Sequence, residues 1–288
     1  MPLSVWLLAA AAACFFGTGL VFTVFGLRWL EIWLGAVVSV LTSTAMFFCL
    51  APFYVDTDNW VNSSVLIFAT VGLFFPALVT LLAFESNRQI GPNVTGSLGN
   101  LAPLFAVAFA VSALGEEPTL LQVASLTAIV IGVSLLSFQR RKTLQPWSLW
   151  VFLLPITAAF MRGATQPAIK LGLEAWPNPL VAALVGYAIS SLVLIAIAVF
   201  RTRGWPQGLN SRGIVLFAGV GVCHGLAVLT MYGVFALGPI TLASPTVATY
   251  PLVTLVLNSI YLKNVRLTRS LIFGVITMVM GVASLLVG

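Results

Sequence analysis

The chain has 288 residues, 60% of them hydrophobic and only 7% charged, with a formal net charge of +6. A water-soluble domain carries about 25% charged residues, so this composition excludes an ordinary soluble protein and makes the bilayer the main solvent. The basic excess does not mark a nucleic-acid partner, because the Lys and Arg residues sit in short loops between apolar runs, where they act as a topology signal.

In chain order, the apolar runs predict membrane helices near 4–25, 32–54, 62–84, 92–113 and 118–138. A polar loop, Gln139-Arg140-Arg141-Lys142, then leads to helices near 148–171, 178–200, 213–236, 240–262 and 267–287. About 20 apolar residues cross the hydrocarbon core as a helix, whereas barrel strands would be runs of about ten with alternating polarity. The first run is too long for a signal-peptide core and has no basic residues before it, so it reads as the first membrane helix. Cys14, Cys49 and Cys223 lie singly inside apolar runs, with no spacing for zinc, haem or a disulfide framework. Neither a metal nor a cofactor is expected.

Two stretches of the chain look like copies of one unit. The first carries Gly91-Pro92, Pro103-Leu104, Gly115-Glu116 and Gly132-Val133-Ser134-Leu135-Leu136. The second carries Gly238-Pro239, Pro251-Leu252, Lys263-Asn264 and Gly281-Val282-Ala283-Ser284-Leu285. Internal duplication in a polytopic membrane protein is the signature of a secondary transporter. A division into 1–142 and 143–288 gives five helices in each part, and an odd number inverts the second part relative to the first. The expected fold is therefore an all-α membrane protein of ten transmembrane helices in two inverted five-helix repeats. Eleven of the 13 Lys and Arg residues fall in odd-numbered loops, which puts those loops in the cytoplasm and both termini outside a cell inner membrane.

These residues resemble the drug/metabolite transporter superfamily, in particular its ten-helix, two-repeat EamA type. The resemblance covers essentially the whole chain and rests on Gly91-Pro92, the proline of helix four, Leu114-Gly115-Glu116 and the Gly-Val-x-Leu-Leu-like endings. It implies export or exchange of small metabolites, such as amino acids, through a central cavity between the halves. The chain departs from the pattern at Lys263-Asn264, which stands where the first copy has Gly-Glu. It departs again in its charge distribution, since members of this type often have cytoplasmic termini.

Arg162 is the most informative single residue. It falls about fourteen residues into the sixth predicted helix, where a charge costs at least ~2.5 kcal/mol on insertion scales. Gln166, Lys170 and Glu174 follow at four-residue intervals and line one helix face with a polar stripe. Pro167 has no amide proton for the Gly163 carbonyl, which opens the helix locally beside Arg162. A guanidinium, an amide and an open carbonyl form a set that holds a carboxylate and a polar headgroup; the alternative is an arginine that ties helix six to a neighbour. Lys170 and Glu174 are expected to pair at the interface.

Asn100 precedes Pro103 in helix four, and Tyr250 precedes Pro251 at the matching place in helix nine. Both are candidate cavity residues, as is Tyr232 in helix eight; helix–helix hydrogen bonding and interfacial placement are the alternatives. Glu85 ends the third predicted helix beside Asn87 and Arg88, either paired with Arg88 or as a titrating carboxyl coupled to proton flow. His224, the single histidine, is the other candidate for proton coupling. Glu116 and Glu117 read as structural residues at the start of helix five.

An intramembrane enzyme is not expected. One histidine cannot build an HExxH site, Asp56 and Asp58 share one loop, and Gly96-Ser97-Leu98-Gly99 with His224 is a poor hydrolase signal beside ordinary glycine–serine packing. The sequence thus predicts an exporter or exchanger of a small metabolite such as an amino acid or other carboxylate, working by alternating access. A membrane channel or ligand sensor is the alternative. The partners are a small-molecule substrate and the lipid bilayer.

Overall fold

The computed structural model describes residues 3–55, 62–90, 95, 98–137, 149–202, 210–261 and 269–287, and it is all helix and turn over them. In chain order the helices are α1 (Leu3–Gly26), α2 (Ile32–Tyr54), α3 (Asn62–Gly72), a wide π-type segment (Leu73–Leu78) and α4 (Val79–Ile90). Then come α5 (Ala102–Leu114), α6 (Leu120–Ser137), a 3-10 turn (Leu149–Phe152) and α7 (Leu153–Ala175). The chain continues with α8 (Pro179–Thr202), α9 (Ser211–Leu237), α10 (Ile240–Val247), α11 (Tyr250–Tyr261) and α12 (Arg269–Val287). The longest of these, α9 with 27 residues, extends about 40 Å at 1.5 Å per residue, more than a hydrocarbon core requires.

Six described stretches are long and apolar enough to cross a membrane, and three more apolar helices are shorter: 102–114, 120–135 and 269–285. The tenth span is α7, whose Arg162, Lys170 and Glu174 set it apart from the apolar helices. The chain is an all-α, multi-pass membrane protein with ten transmembrane helices in two inverted five-helix repeats.

Three spans differ from the simple rods that the apolar runs predict. The third, an apolar stretch over Ser63–Ala83, is not one continuous helix. It is interrupted at 73–78, where Phe75 leaves helical geometry (φ −126°, ψ 129°), and resumes as α4 to Ile90. The fourth turns at Asn100 and Leu101 before α5 begins, so Pro103 lies in the first turn of a helix and not in its middle. The ninth breaks at Ala248 and Thr249, which puts Pro251 in the first turn of α11. The fourth and ninth share a physical reason: a first-turn N–H has no partner inside its own helix, so proline removes nothing there.

The chain packs as two compact units. The first holds residues 1–78 and 168–238, and the second holds 79–167 and 239–288. Each unit draws on both halves of the sequence, and the chain crosses between them beside Pro76, Pro167 and Pro239. In the first unit α9 packs on α1 and α2, and α8 packs on α2 and α3. In the second, α6 packs on α12, and α10 packs on α5 and α6.

The repeated Gly-Val motifs explain the α6–α12 pair. A Cβ on Gly132 would stand 2.7 Å from the Gly274 carbonyl oxygen, and one on Gly281 would stand 2.9 Å from the Ser125 carbonyl oxygen. Each copy's glycine therefore admits the other copy's helix, the small-residue packing that membrane helices use in place of a hydrophobic drive. The Gly91-Pro92 and Lys263-Asn264 motifs, the Gln139–Lys142 loop, Asp56, Asp58, Gly96 and Ser97 lie outside the described residues.

Candidate functional site

The polar stripe of α7 begins on the second unit. The helix runs on across Pro167 without interruption, and the Thr165 hydroxyl donates to the Arg162 carbonyl at 2.9 Å. Gly163 lies against the start of α5, where a Cβ would fall 2.5 Å from the Phe105 Cβ and 2.8 Å from the Ala102 carbonyl oxygen. Phe160 completes that crossing, with its ring edge-on to Phe105 at 5.5 Å and to Phe109 at 5.3 Å. In sequence, Gly163 at this crossing follows Arg162 directly, and Ala102 stands two residues after the buried Asn100.

The second unit keeps buried polar atoms that bond nothing in the protein. They are Arg162 Nε, Gln166 Oε1 and the Ser244 Oγ on α10. Gln166 is 9% exposed and Ser244 is 4% exposed. Orphaned buried groups cost about 1–3 kcal/mol each, and a native structure that retains them calls for an explanation such as a ligand. The set offers a charged donor, an acceptor and a hydroxyl that serves as either.

Lys170 lies past the crossing to the first unit. Its Nζ donates to the Gly238 carbonyl at 3.2 Å, while Glu174 is exposed. The expected Lys170–Glu174 partnership thus gives way to a contact that satisfies the end of α9.

Glu116 has a different role from the one its position suggests. α5 closes on Gly115 in the left-handed conformation (φ 66°), which glycine adopts without a Cβ clash. The next residue, Glu116, reaches a different helix. Its carboxylate oxygens each accept a backbone N–H, from Ile240 and Thr241, both at 2.8 Å. It therefore caps α10, the first half of the broken ninth span, where a negative charge complements the helix dipole. The start of α6 is capped by Thr119 and Gln122, whose side chains exchange bonds with each other's backbone N–H at 3.3 and 3.1 Å.

The remaining candidates fall on both units. Glu85 sits inside α4, a helix that continues five residues beyond it, and accepts from Gln89 Nε2 at 2.6 Å. The Arg88 side chain, its expected partner, lies outside the described residues. Tyr250 is the first residue of α11. Tyr232 and His224 belong to α9 in the first unit. Tyr232 is buried with its ring 6.1 Å from Phe235, and His224 packs into α1, 5.6 Å from the Phe16 ring and against Gly19. Five of the seven candidates (Arg162, Gln166, Asn100, Tyr250 and Glu85) share the second unit. Ser244 was not among them, and a serine in an apolar run gives no signal beyond its flanking Pro245. Among the described residues no His, Cys, Asp and Glu cluster has the make-up of a metal site.

Comparison with known proteins agrees with this architecture. One solved crystal structure superposes with a TM-score of 0.81 over 99% of this chain and 96% of its own, at 16% sequence identity, a likeness of fold alone. A search of curated proteins found no match. The model of the EamA-like transporter family matches twice in succession, over residues 3–138 and 148–287, and so accounts for nearly the whole chain and for its duplication. The chain belongs to the EamA-like transporter family, a branch of the drug/metabolite transporter superfamily.

Proposed function

We propose that this membrane transporter is an exporter or exchanger of a small metabolite bearing a carboxylate, such as an amino acid, and that it works by alternating access. Arg162 is the anionic-group partner. Gln166 accepts from the substrate's polar end, and Asn100, Tyr250 and Tyr232 shape the site. The observation that carries this reading is the trio of buried, unpartnered polar atoms on α7 and α10: Arg162 Nε, Gln166 Oε1 and Ser244 Oγ. A guanidinium inside a membrane helix is costly, and an anionic substrate group is a partner that its fork of donors fits. If transport is coupled to protons, Glu85 or His224 is the candidate coupling group. The protein resides in the cell inner membrane with both termini outside, a placement supported by the distribution of Lys and Arg.

The test is counterflow in proteoliposomes, comparing wild type with Arg162→Gln at matched reconstitution. The vesicles are loaded with an unlabelled panel of amino acids, organic acids and neutral metabolites, and a labelled trace of each is added outside. Accumulation of a carboxylate that the substitution lowers at least about tenfold is the expected result. Uptake that survives it makes Arg162 structural. Flux far above carrier turnover, or ligand binding without movement, transfers the protein to the channel or sensor class.

A further inference from the structure

The third span is interrupted inside the membrane, and lipid offers nothing to backbone groups that an interruption frees. Pro76 has no amide proton, so it cannot serve the Gly72 carbonyl four residues back. The neighbouring α8 supplies a substitute. Ser190, fully buried, donates its hydroxyl to the Gly72 carbonyl at 2.5 Å, and its oxygen accepts the Ala77 N–H at a longer 3.4 Å. One hydroxyl thus spans both edges of the interrupted segment.

Its position follows from small residues. A Cβ on Gly72 would stand 2.5 Å from the Gly186 carbonyl oxygen, so α3 and α8 meet here backbone to backbone. Ser190 stands four residues after Gly186, on the same helix face. The close crossing therefore delivers the hydroxyl to the carbonyl that the proline leaves without its usual donor. The next residue, Ser191, makes a different buried bond, to the Thr44 hydroxyl at 2.8 Å.

We propose that Ser190 is the positioning residue of the third-span break: its hydroxyl stands in for the amide proton that Pro76 lacks and holds residues 73–78 in their interrupted conformation. The chain leaves the first compact unit at Leu78, so the stitched segment is the last of that unit before the crossing. In an alternating-access carrier, loosening of this segment at the junction would slow the cycle. That link to turnover rests on the function proposed above; the stitch itself does not.

The experiment is hydrogen–deuterium exchange on the full chain in nanodiscs, comparing wild type, Ser190→Ala, Ser190→Thr and Ser191→Ala. Loss of a buried hydrogen-bonding partner predicts exchange about tenfold faster for amides of 73–79 in Ser190→Ala. Ser190→Thr, which keeps the hydroxyl, restores protection, and Ser191→Ala leaves this segment unchanged. Unaltered exchange in Ser190→Ala overturns the proposal, as does equal acceleration in Ser191→Ala, which would mean general loosening. This readout needs no substrate. In counterflow with the metabolite panel, Ser190→Ala lowers the maximal rate while the half-saturating concentration holds. Absence of counterflow in wild type bears only on the carrier reading and its substrate panel, and leaves the exchange result to decide the stitch.

Discussion

In the first unit, hydroxyls buried between helices close on a neighbouring helix: Ser43 on the Gly221 carbonyl at 2.7 Å, Thr44 on Ser191 at 2.8 Å and Ser64 on the Gly172 carbonyl at 2.9 Å. In the second, the α6–α12 pair does the same, with Ser125 on Ser284 at 3.0 Å and Ser270 on the Leu135 carbonyl at 3.1 Å. On α7 and α10 the pattern stops, and Arg162 Nε, Gln166 Oε1 and Ser244 Oγ are buried without a protein bond. Both units thus use hydroxyls to fasten helices, but only the satisfied ones are explained by fastening. The unsatisfied ones cost stability, and in the function proposed above they are the groups that a substrate would meet. Substitution separates the two kinds, because one should lower stability and the other should lower transport.

The largest effect is expected at Arg162. Arg162→Gln should lower the counterflow of a carboxylate by roughly 10- to 150-fold, the worth of a hydrogen bond to a charged group. The melting temperature of the purified protein should hold or rise, since Nε loses no protein partner. A large drop in melting temperature would mean that the guanidinium fastens helices after all, and the contrast between the units would fall at its main point. Gln166→Leu comes next. It should raise the half-saturating concentration by about tenfold and leave stability unchanged or improved, because a shape-matched apolar group removes an orphan.

Glu116 belongs to the other class although it lies in the second unit. Glu116→Gln removes the charge that caps α10, at a cost of about 1 kcal/mol. A lowered melting temperature with normal transport per folded molecule is the expected result. Lost transport at unchanged stability would move Glu116 into the site.

The ten spans, the duplication and Arg162 were legible in the sequence because length, hydropathy and a misplaced charge are local quantities. The repeat glycines Gly132 and Gly281 were legible too, although their use, admitting each other's helix, was not. The breaks were half legible. Pro103 and Pro251 marked the right spans, but a proline inside an apolar run does not say whether a helix bends around it or starts at it. Glu116 read as a cap for its own helix because the N–H groups it serves lie 124 and 125 residues away. Ser190 gave no signal at all, since its use depends on where Pro76 sits on another helix. Local chemistry was readable; partnerships across the fold were not.

The smallest expected effect makes the finest test. Ser43→Ala and Ser244→Ala remove the same hydroxyl from two buried sites, 1% and 4% exposed, one on each unit. Ser43 bonds the Gly221 carbonyl, and its loss leaves that acceptor short inside the bilayer, which costs about 1 kcal/mol. Ser244 Oγ has no partner to lose, so its removal should leave the melting temperature within error of wild type and weaken substrate half-saturation by only a few fold. Paired measurement of melting and counterflow then places the two alanines on different axes. If both fell along the stability axis, Ser244 would be one more fastening hydroxyl and the site would shrink to α7. If Ser244→Ala moved only transport, the site would extend to the broken ninth span, and α10, held at its N-terminus by Glu116, would be the element that carries the hydroxyl to the substrate.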